Sequence, residues 1–506
     1  MNTSYVVIGI FIYIVISLVI AWTSRQGKAI SMTGYFLGNR SMGGVVSALS
    51  YSATTYSAFM MIGLAGLTYR GGVGALGFEI VYFAGVSLVV IFGPRFWRAG
   101  KKYGYVTPSE MLGHRYGSRS VAIAAGITSL VFLIPYSAVQ LSGVGYLLSG
   151  MTDGSISFVA GIIMATALAI VFSYIAGIRS VMWTDSLQAL VMIVASVAVA
   201  VLVVQGLGGF TAMFDRLAET TPEMLQVPGP GLFSFKTFLG LTIPWFFFSI
   251  SNPQVSQRLF MPANLVALRR MLLIFLCFGL IYTLVSVTWG FAAFVAFPTL
   301  EQPDLATATL LASDYVPPVL GVIVMVGILA AAVSTIDSIL LTLSSIFARD
   351  VYGNMGGSQD DSHQLMIGKF VIPVISILAL FFAAAEFSMI AVLSVAASAG
   401  LVVAVPAIVG AFFWRGGTAM GALVSIIGGA IFVIWMYLTG NNLLGLNAGV
   451  LGLPVAILLF VLASLATKPT AASVTAGFID GTPDPHGTRP PKLEATQQAM
   501  QAIERG

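Results

Sequence analysis

Residues 331–338 place hydroxyls and a carboxylate in the middle of an apolar run. The segment reads AAVSTIDS, and Asp337 is the only ionisable residue from 316 to 348. On a helix, Ser334, Asp337 and Ser338 stand at i, i+3 and i+4, so their oxygens share one face. A charged side chain at bilayer depth costs about 2.5 to 3.5 kcal/mol on insertion scales. The pattern therefore predicts a buried set of oxygen ligands that needs a partner, a cavity or a cation.

The composition is that of a membrane protein. Hydrophobic residues make up 58% of the 506 positions and charged residues only 8%, against roughly 25% charged residues in soluble domains. This excludes a set of water-soluble domains and predicts an all-α, polytopic membrane protein. The first apolar run, 5–22, lacks a basic start and a small-residue cleavage site, so we expect a retained helix. The single cysteine, Cys277, excludes an intramolecular disulfide and a cysteine metal site.

Apolar runs separated by polar breaks predict thirteen membrane spans of about twenty residues. Their predicted limits are 4–23, 42–68, 73–94, 121–150, 156–176, 181–206, 234–257, 271–297, 317–348, 369–385, 388–413, 417–438 and 446–467. With the N-terminus outside, every Lys and Arg except Arg70, Arg216 and Lys236 falls on the inner side. We therefore expect a multi-pass cell-membrane protein with a cytoplasmic C-terminus, whose net charge of +4 marks topology rather than nucleic-acid binding.

Two predicted spans look interrupted. In the second, 47–57 reads SALSYSATTYS, and in the seventh, Pro244 and Pro253 bracket WFFFSISN. Proline removes a backbone donor, and irregular backbone at membrane depth is tolerated where it lines a cavity, as in secondary transporters. Because the two breaks lie five spans apart, we expect a core of two inverted five-helix repeats, approximately 42–206 and 234–413.

The residues after the last span differ in character. From 468 onward the chain is rich in proline, small and charged residues, which bury no core. We therefore predict a transporter domain over 1–467 and a cytoplasmic, disordered tail over 468–506. A nucleotide-binding loop of the G-x-x-x-x-G-K-[ST] type is missing, which argues against an ATP-driven pump. All three histidines fall in predicted loops or in the tail, so we expect no enzyme, and the concentrated polarity favours one occluded site over a channel pore.

Three longer motifs resemble the sodium/solute symporter family. They are GYFLGNRSMGG at 34–44, AGIRSVMWTDSLQ at 176–188 and AAVSTIDSILLTLSSIFARDVY at 331–352. The family includes bacterial carriers of proline, pantothenate, monocarboxylates and sialic acid, and the sodium/glucose carriers. The resemblance runs from about 35 to 415. It implies a secondary transporter that couples inward sodium movement to solute uptake by alternating access.

The resemblance also implies cation positions. A sodium ion is expected on the backbone carbonyls of Ala53, Tyr56 and Ala331 and the hydroxyls of Ser334 and Thr335. A second cation, seen in some relatives, would involve Asp185, Asp337 and Ser338. Sodium is a hard cation whose single charge neutral oxygens can balance. Many relatives carry a hydroxyl at the position of Asp337, so this side chain is either a charged ligand or a protonated hydrogen-bond donor.

The substrate is expected beside the sodium site. The predicted lining residues are Thr54, Thr55, Ser57, Phe78, Glu79, Gln140, Phe247, Phe248 and Asn252. Aromatic rings would supply apolar walls, and Gln140 and Asn252 would orient the solute by hydrogen bonds. Glu79 is either a solvated interfacial acid or, as in sugar-carrying relatives, a substrate-facing one. Proline carriers have an aspartate at the position of Thr55. The segments at 105–119 and 134–145 resemble the monocarboxylate and pantothenate branches, so small organic acids rank above amino acids, and sugars third.

Overall fold

All regular structure in the described residues is helical. The computed structural model describes residues 3–24, 31–230, 234–386, 389–440, 442–443 and 445–479. Within these ranges ten helices are long and apolar enough to cross a membrane, and extended pairing is confined to two isolated bridges. The predicted all-α membrane fold is confirmed, whereas the count of thirteen spans stays a prediction.

The first half of the chain forms α1 to α10. They are α1 Thr3–Ser24, α2 Met32–Leu37, α3 Gly44–Thr55, α4 Ala65–Gly71, α5 Val73–Val86, α6 Leu88–Tyr103, α7 Pro108–Arg115, α8 Arg119–Met151, α9 Phe158–Gly206 and α10 Gly209–Thr220. Helix α9 is kinked at Gly177, where φ is 59° and ψ is −178°. A Cβ atom there would lie 3.0 Å from the carbonyl oxygen of Tyr35. Both the positive φ and the close approach explain why glycine stands at this turn.

The second half forms α11 to α23. They are α11 Phe235–Phe246, α12 Phe248–Ser251, α13 Pro253–Ser256, α14 Leu265–Ala296, α15 Ala306–Ala312, α16 Pro318–Ile346, α17 Asp361–Ala384, α18 Ile390–Leu401, α19 Val405–Phe413, α20 Ala419–Leu423, α21 Gly429–Thr439, α22 Ala448–Leu465 and α23 Ala472–Ile479. Side chains cap the long helices: Asn264 accepts from the Ala267 amide at 2.8 Å and Asp360 accepts from the His363 amide at 3.0 Å.

Both predicted helix breaks are present. Helix α3 ends at Thr55, since the φ of −99° and ψ of 56° at the next residue, Tyr56, are not helical. A π-helical turn over Phe59–Leu64 then leads into α4. In the seventh span the chain extends at Asn252, where ψ is 115°. Side-chain oxygens replace lost backbone bonds: Ser57 accepts from the Phe59 amide at 3.3 Å and Asn252 from the Gln254 amide at 3.2 Å.

Helix α16 lies at the centre of the molecule. Every residue from Gly327 to Ile346 is buried, and the helix packs against α1, α3, α8, α9 and α17. Outer helices instead expose large apolar side chains, such as Phe11 and Trp22 of α1 at 65% and 63% exposure. That arrangement suits a protein surrounded by lipid.

The start of the predicted disordered tail is folded. Helix α23 covers Ala472–Ile479, and Phe478 is buried with its ring stacked on Tyr103 at 5.6 Å between centroids. The expectation of disorder is therefore wrong for Ala472–Ile479, because the ring of Phe478 packs against Tyr103 of α6. Residues 480–506 lie outside the described part of the chain.

Candidate functional site

The oxygen-bearing face of α16 meets the broken end of α3. The hydroxyl of Thr335 donates to the Ala331 carbonyl at 2.8 Å and lies 3.3 Å from the Ala53 carbonyl. All three residues are at most 1% exposed. Three of the five predicted sodium ligands are therefore in contact, and they join the two elements that the sequence analysis paired.

The other two predicted sodium ligands have different neighbours. Ser334 donates its hydroxyl to Asp185 of α9. Tyr56 sits in the α3 break, with its ring stacked on Phe275 of α14 at 5.1 Å between centroids. The hydroxyl of Ser334 is thus shared between the candidate sodium site and a buried acid.

Asp185 belongs to a buried polar cluster with a basic partner. One terminal nitrogen of Arg258 lies 3.4 Å from the Asp185 carboxylate and donates to Ser338. Ser50 donates to Asp185 at 2.6 Å and accepts from the other terminal nitrogen. Arg258 is 2% exposed and Asp185 is 0% exposed. Two of the three residues predicted for a second cation therefore contact a guanidinium.

Arg258 directly follows the seventh predicted span, where an exposed loop is expected, but its side chain is buried. After α13 the chain turns through Gln257–Phe260, which is buried throughout. Hydrophobicity marks 257 as the end of a span, but the break at Asn252 keeps the following turn inside the protein. The position of this arginine soon after a predicted helix break is the sequence feature that could have indicated its burial.

Asp337, the third residue of that predicted set, has another partner. Its carboxylate accepts a hydrogen bond from Ser173 of α9 at 3.0 Å. Thr54, predicted to face the substrate, lies 3.3 Å from the Ser338 hydroxyl instead. Thr54 therefore borders the Arg258 cluster.

A cluster of stacked aromatic rings lies at the two helix breaks. Trp245 stacks on Phe59 at 4.4 Å and on Phe248 at 4.7 Å between ring centroids. Tyr82 and Phe78 meet Trp245 edge-on at 4.7 Å and 5.9 Å. All five rings are fully buried. Phe78 and Phe248 were predicted here, whereas Phe247 is only partly buried and packs on Phe246.

Several buried polar atoms of this region lack a hydrogen-bond partner among the residues that the structure describes. They are both side-chain amide atoms of Gln140, the amide nitrogen of Asn252, the hydroxyls of Thr55 and Tyr82, and the indole nitrogen of Trp245. Buried polar atoms in folded proteins are nearly always bonded to protein or water. Because so many unpaired polar atoms surround one aromatic cluster, this region is suited to binding water or a polar solute. Sequence reasoning missed Trp245 and Tyr82, since aromatic residues in a membrane core usually only pack.

Glu79 is buried rather than interfacial. Its side chain is 0% exposed, and one carboxylate oxygen accepts from Thr283 of α14 at 3.3 Å. Within the described ranges, the other oxygen has no hydrogen-bond partner. The reading of Glu79 as a solvated acid is therefore wrong. An acid with one free oxygen stands one helical turn before Tyr82 on α5.

Comparisons with known proteins identify the family and the fold of this chain. The model of the sodium:solute symporter family matches residues 35–429. The sodium/proline symporter of Staphylococcus aureus is 27% identical over 92% of this chain and 93% of its own length. The sodium/pantothenate symporter of Haemophilus influenzae is 26% identical over 80% of this chain and 84% of its own length. In fold, the chain is similar to a substrate-bound, outward-open Na+-coupled sialic acid symporter, with a TM-score of 0.77 at 20% identity over 92% of this chain and 99% of that one.

Proposed function

Since this chain belongs to the sodium:solute symporter family, we propose that it takes up a small organic acid, with a monocarboxylate as the favoured type. Family membership makes it a sodium-coupled symporter and not an enzyme. The observation that supports sodium binding is the contact of Thr335 with the Ala53 carbonyl, which links α16 to the broken end of α3. Sodium bound between these elements would couple its own movement to their rearrangement.

The available hydrogen-bond donors support a carboxylate-bearing solute. Proline and pantothenate, named for two of the relatives, both carry a carboxylate. In this chain the buried nitrogens of Asn252, Gln140 and Trp245 lack acceptors. A carboxylate would satisfy such donors, and the stacked rings would enclose an apolar body.

An amino acid is the second candidate. The observation that favours it is the free carboxylate oxygen of Glu79. An ammonium group is the natural partner for a buried acid, because an unpaired charge away from water is costly.

Uptake into proteoliposomes decides between these solutes. With sodium outside and potassium inside, we expect labelled monocarboxylates or pantothenate to accumulate at least tenfold over vesicles without a sodium gradient. Proline and glucose serve as the competing substrates, and empty liposomes as the control. Accumulation of proline or glucose alone contradicts the organic-acid assignment, and accumulation that ignores sodium contradicts the coupling.

We further propose alternating access, with the N-terminus outside and the C-terminus cytoplasmic. Towards the proposed outer side, Thr307 donates to the Met61 carbonyl of the π-helical turn, and Asp304 accepts from the Ile390 amide at 3.1 Å. Towards the proposed inner side, Arg349 bonds Glu110 at 3.1 Å. Polar contacts thus connect helices on both the outer and the inner side. In a transport cycle, the outer contacts would break when the outer side opens and the inner contacts when the inner side opens.

A cysteine at Ala58 tests this cycle. Ala58 is 1% exposed and follows the α3 break, so a reagent reaches it only when the outer side opens. In a background with Cys277 replaced by serine, we expect Ala58→Cys to react at least fivefold faster with an outside thiol reagent when sodium is present. Added substrate should then protect it. Labelling that ignores both sodium and substrate contradicts alternating access, and a cysteine at the exposed Val227, in the proposed outer loop between α10 and α11, measures the reagent's general reactivity.

A further inference from the structure

A buried acid lies in the loop between α14 and α15, on the proposed outer side. This α14–α15 loop, residues 297–305, packs on α4 and α8. Its Asp304 is 4% exposed and takes part in none of the ion pairs of the described residues. One carboxylate oxygen accepts from the Ile390 amide at 3.1 Å, and the other has no hydrogen-bond partner within the described ranges. Asp304 therefore joins the loop to the first residue of α18 without a cation that balances its charge.

The α14–α15 loop is also bonded to the segment that follows the α3 break. Tyr69 of α4 donates to the Phe297 carbonyl at 2.6 Å and accepts from the Leu300 amide at 2.9 Å. A Cβ atom at Gly66 would lie 3.0 Å from the Asp304 carboxylate, so the backbone of α4 closely approaches the acid. The loop thus bridges α4 and α18, and it must leave one of them before the two can separate on the outer side.

Few other titratable groups of the described chain lie at the outer ends of the elements around Asp304. They are Tyr69, Arg70, Tyr146, Glu301 and Glu386. Arg70 and Glu301 are exposed to solvent, and Tyr146 of α8 donates its hydroxyl to Glu386 at 3.1 Å. Helices α15 and α18 and the π-helical turn carry no titratable side chain. The protonation of Asp304 therefore depends mainly on its own burial.

The two arrangements of the loop hold the proton of Asp304 with different strength. Burial raises the pKa of Asp304 from 3.8 to about 7, although the bond from the Ile390 amide favours the ionised form. When the loop leaves α18, water reaches the carboxylate and its pKa falls towards the ordinary value. Proton binding therefore stabilises the closed arrangement fully below about pH 4, and this stabilisation is lost as the pH rises through about 7. Between pH 8 and pH 6 the equilibrium shifts about tenfold towards closure.

We propose that Asp304 is a pH-sensitive switch of the outer side: its protonated side chain holds the α14–α15 loop on α18, and loss of the proton favours opening. The inference rests on the alternating access proposed above, with the loop on the outer side. External acid then slows the exposure of the sodium site, whatever the titration of the solute.

Labelling of Ala58→Cys from outside, in the Cys277→Ser background with sodium and without solute, tests the switch. Each rate is divided by the rate for a cysteine at the exposed Val227 at the same pH, which removes the pH dependence of the thiol reaction itself. We expect the corrected rate at pH 6 to be at least fivefold below that at pH 8. With Asp304→Asn or Asp304→Ser, which cannot titrate, the two corrected rates should agree within twofold. Glu301→Gln is the matched control, since it neutralises an exposed acid of the same loop, and it should keep the full pH dependence.

Two outcomes would overturn the proposal. A corrected rate that is equal at both pH values without an Asp304 substitution, or faster at pH 6, excludes the switch. A pH dependence that persists in an Asp304 variant assigns it to another titratable group, and two substitutions of different size keep this test open if one does not fold. Failure of alternating access is seen separately, because labelling at Ala58 then ignores sodium at either pH, whereas failure of the switch leaves the sodium effect intact.

Discussion

Replacing Ser334 and Thr335 together by alanine is expected to raise the sodium concentration for half-maximal uptake at least tenfold. The change removes two of five proposed ligands and the contact of Thr335 with the Ala53 carbonyl. A tenfold loss corresponds to about 1.4 kcal/mol of binding free energy, which is modest for two oxygens of one site. Uptake at varied sodium, with insertion checked by the amount of folded protein, measures it.

The controls separate the ion site from neighbouring contacts. Thr335→Ser keeps the hydroxyl and should retain near-normal sodium dependence. Ser344→Ala removes another buried hydroxyl of α16 that has no partner, and it should change the sodium dependence less than twofold. A double variant with normal sodium dependence would show that the ion binds elsewhere.

Replacing Arg258 by methionine is expected to destabilise the protein severely. The substitution leaves the carboxylate of Asp185 buried at 0% exposure without its cation. Removing one partner of a buried pair costs about 3 to 5 kcal/mol. We expect a large fall in melting temperature in detergent and little sodium-dependent uptake.

A second substitution should restore stability. Arg258→Met combined with Asp185→Asn removes both charges, so most of the lost melting temperature should return. Arg115→Met is the control, because Arg115 is equally buried but donates to the carbonyls of Ala411 and Trp414. Asp185→Asn should not rescue that variant. Losses that simply add, within about 0.5 kcal/mol, would mean that the two charges do not stabilise each other.

Much of the fold follows from the sequence because a bilayer imposes strong composition rules. Apolar runs locate the long helices, and the hydroxyl-rich stretch before Ser57 and the prolines around Asn252 locate both breaks. The same rules do not predict that Arg258 is buried. They assign a charged residue at the end of an apolar run to an exposed loop. The pairing of Arg258 with Asp185, 73 residues earlier in the chain, depends on how the helices pack, which one sequence does not reveal.

Residues of the candidate site can be predicted where their type and their spacing along a helix both indicate a contact. They cannot be predicted where the contact depends on how separate helices pack. Thr335 and Ala331 lie one turn apart on a helix, so their contact follows from geometry alone. Trp245 carries no comparable signal, because its ring is one of many in an apolar sequence. The folded start of the tail is a similar case, since Phe478 packs on Tyr103 and Phe412, two rings far from it in the sequence.

The charges buried around α16 determine how the carrier responds to the membrane potential. The proposed sodium ligands Ala53, Ala331 and Thr335 are neutral, and Asp185 and Arg258 cancel each other. The net charge of the empty core then depends on Asp337 and Glu79, two buried acids outside the ion pairs of the described residues. Moving one elementary charge across the membrane is worth about 2.3 kcal/mol per 100 mV. If both acids keep a proton or a bound cation throughout the cycle, the empty core is neutral and voltage drives only the loaded step. If either acid releases that proton or cation, the empty core is negative and voltage acts on its return.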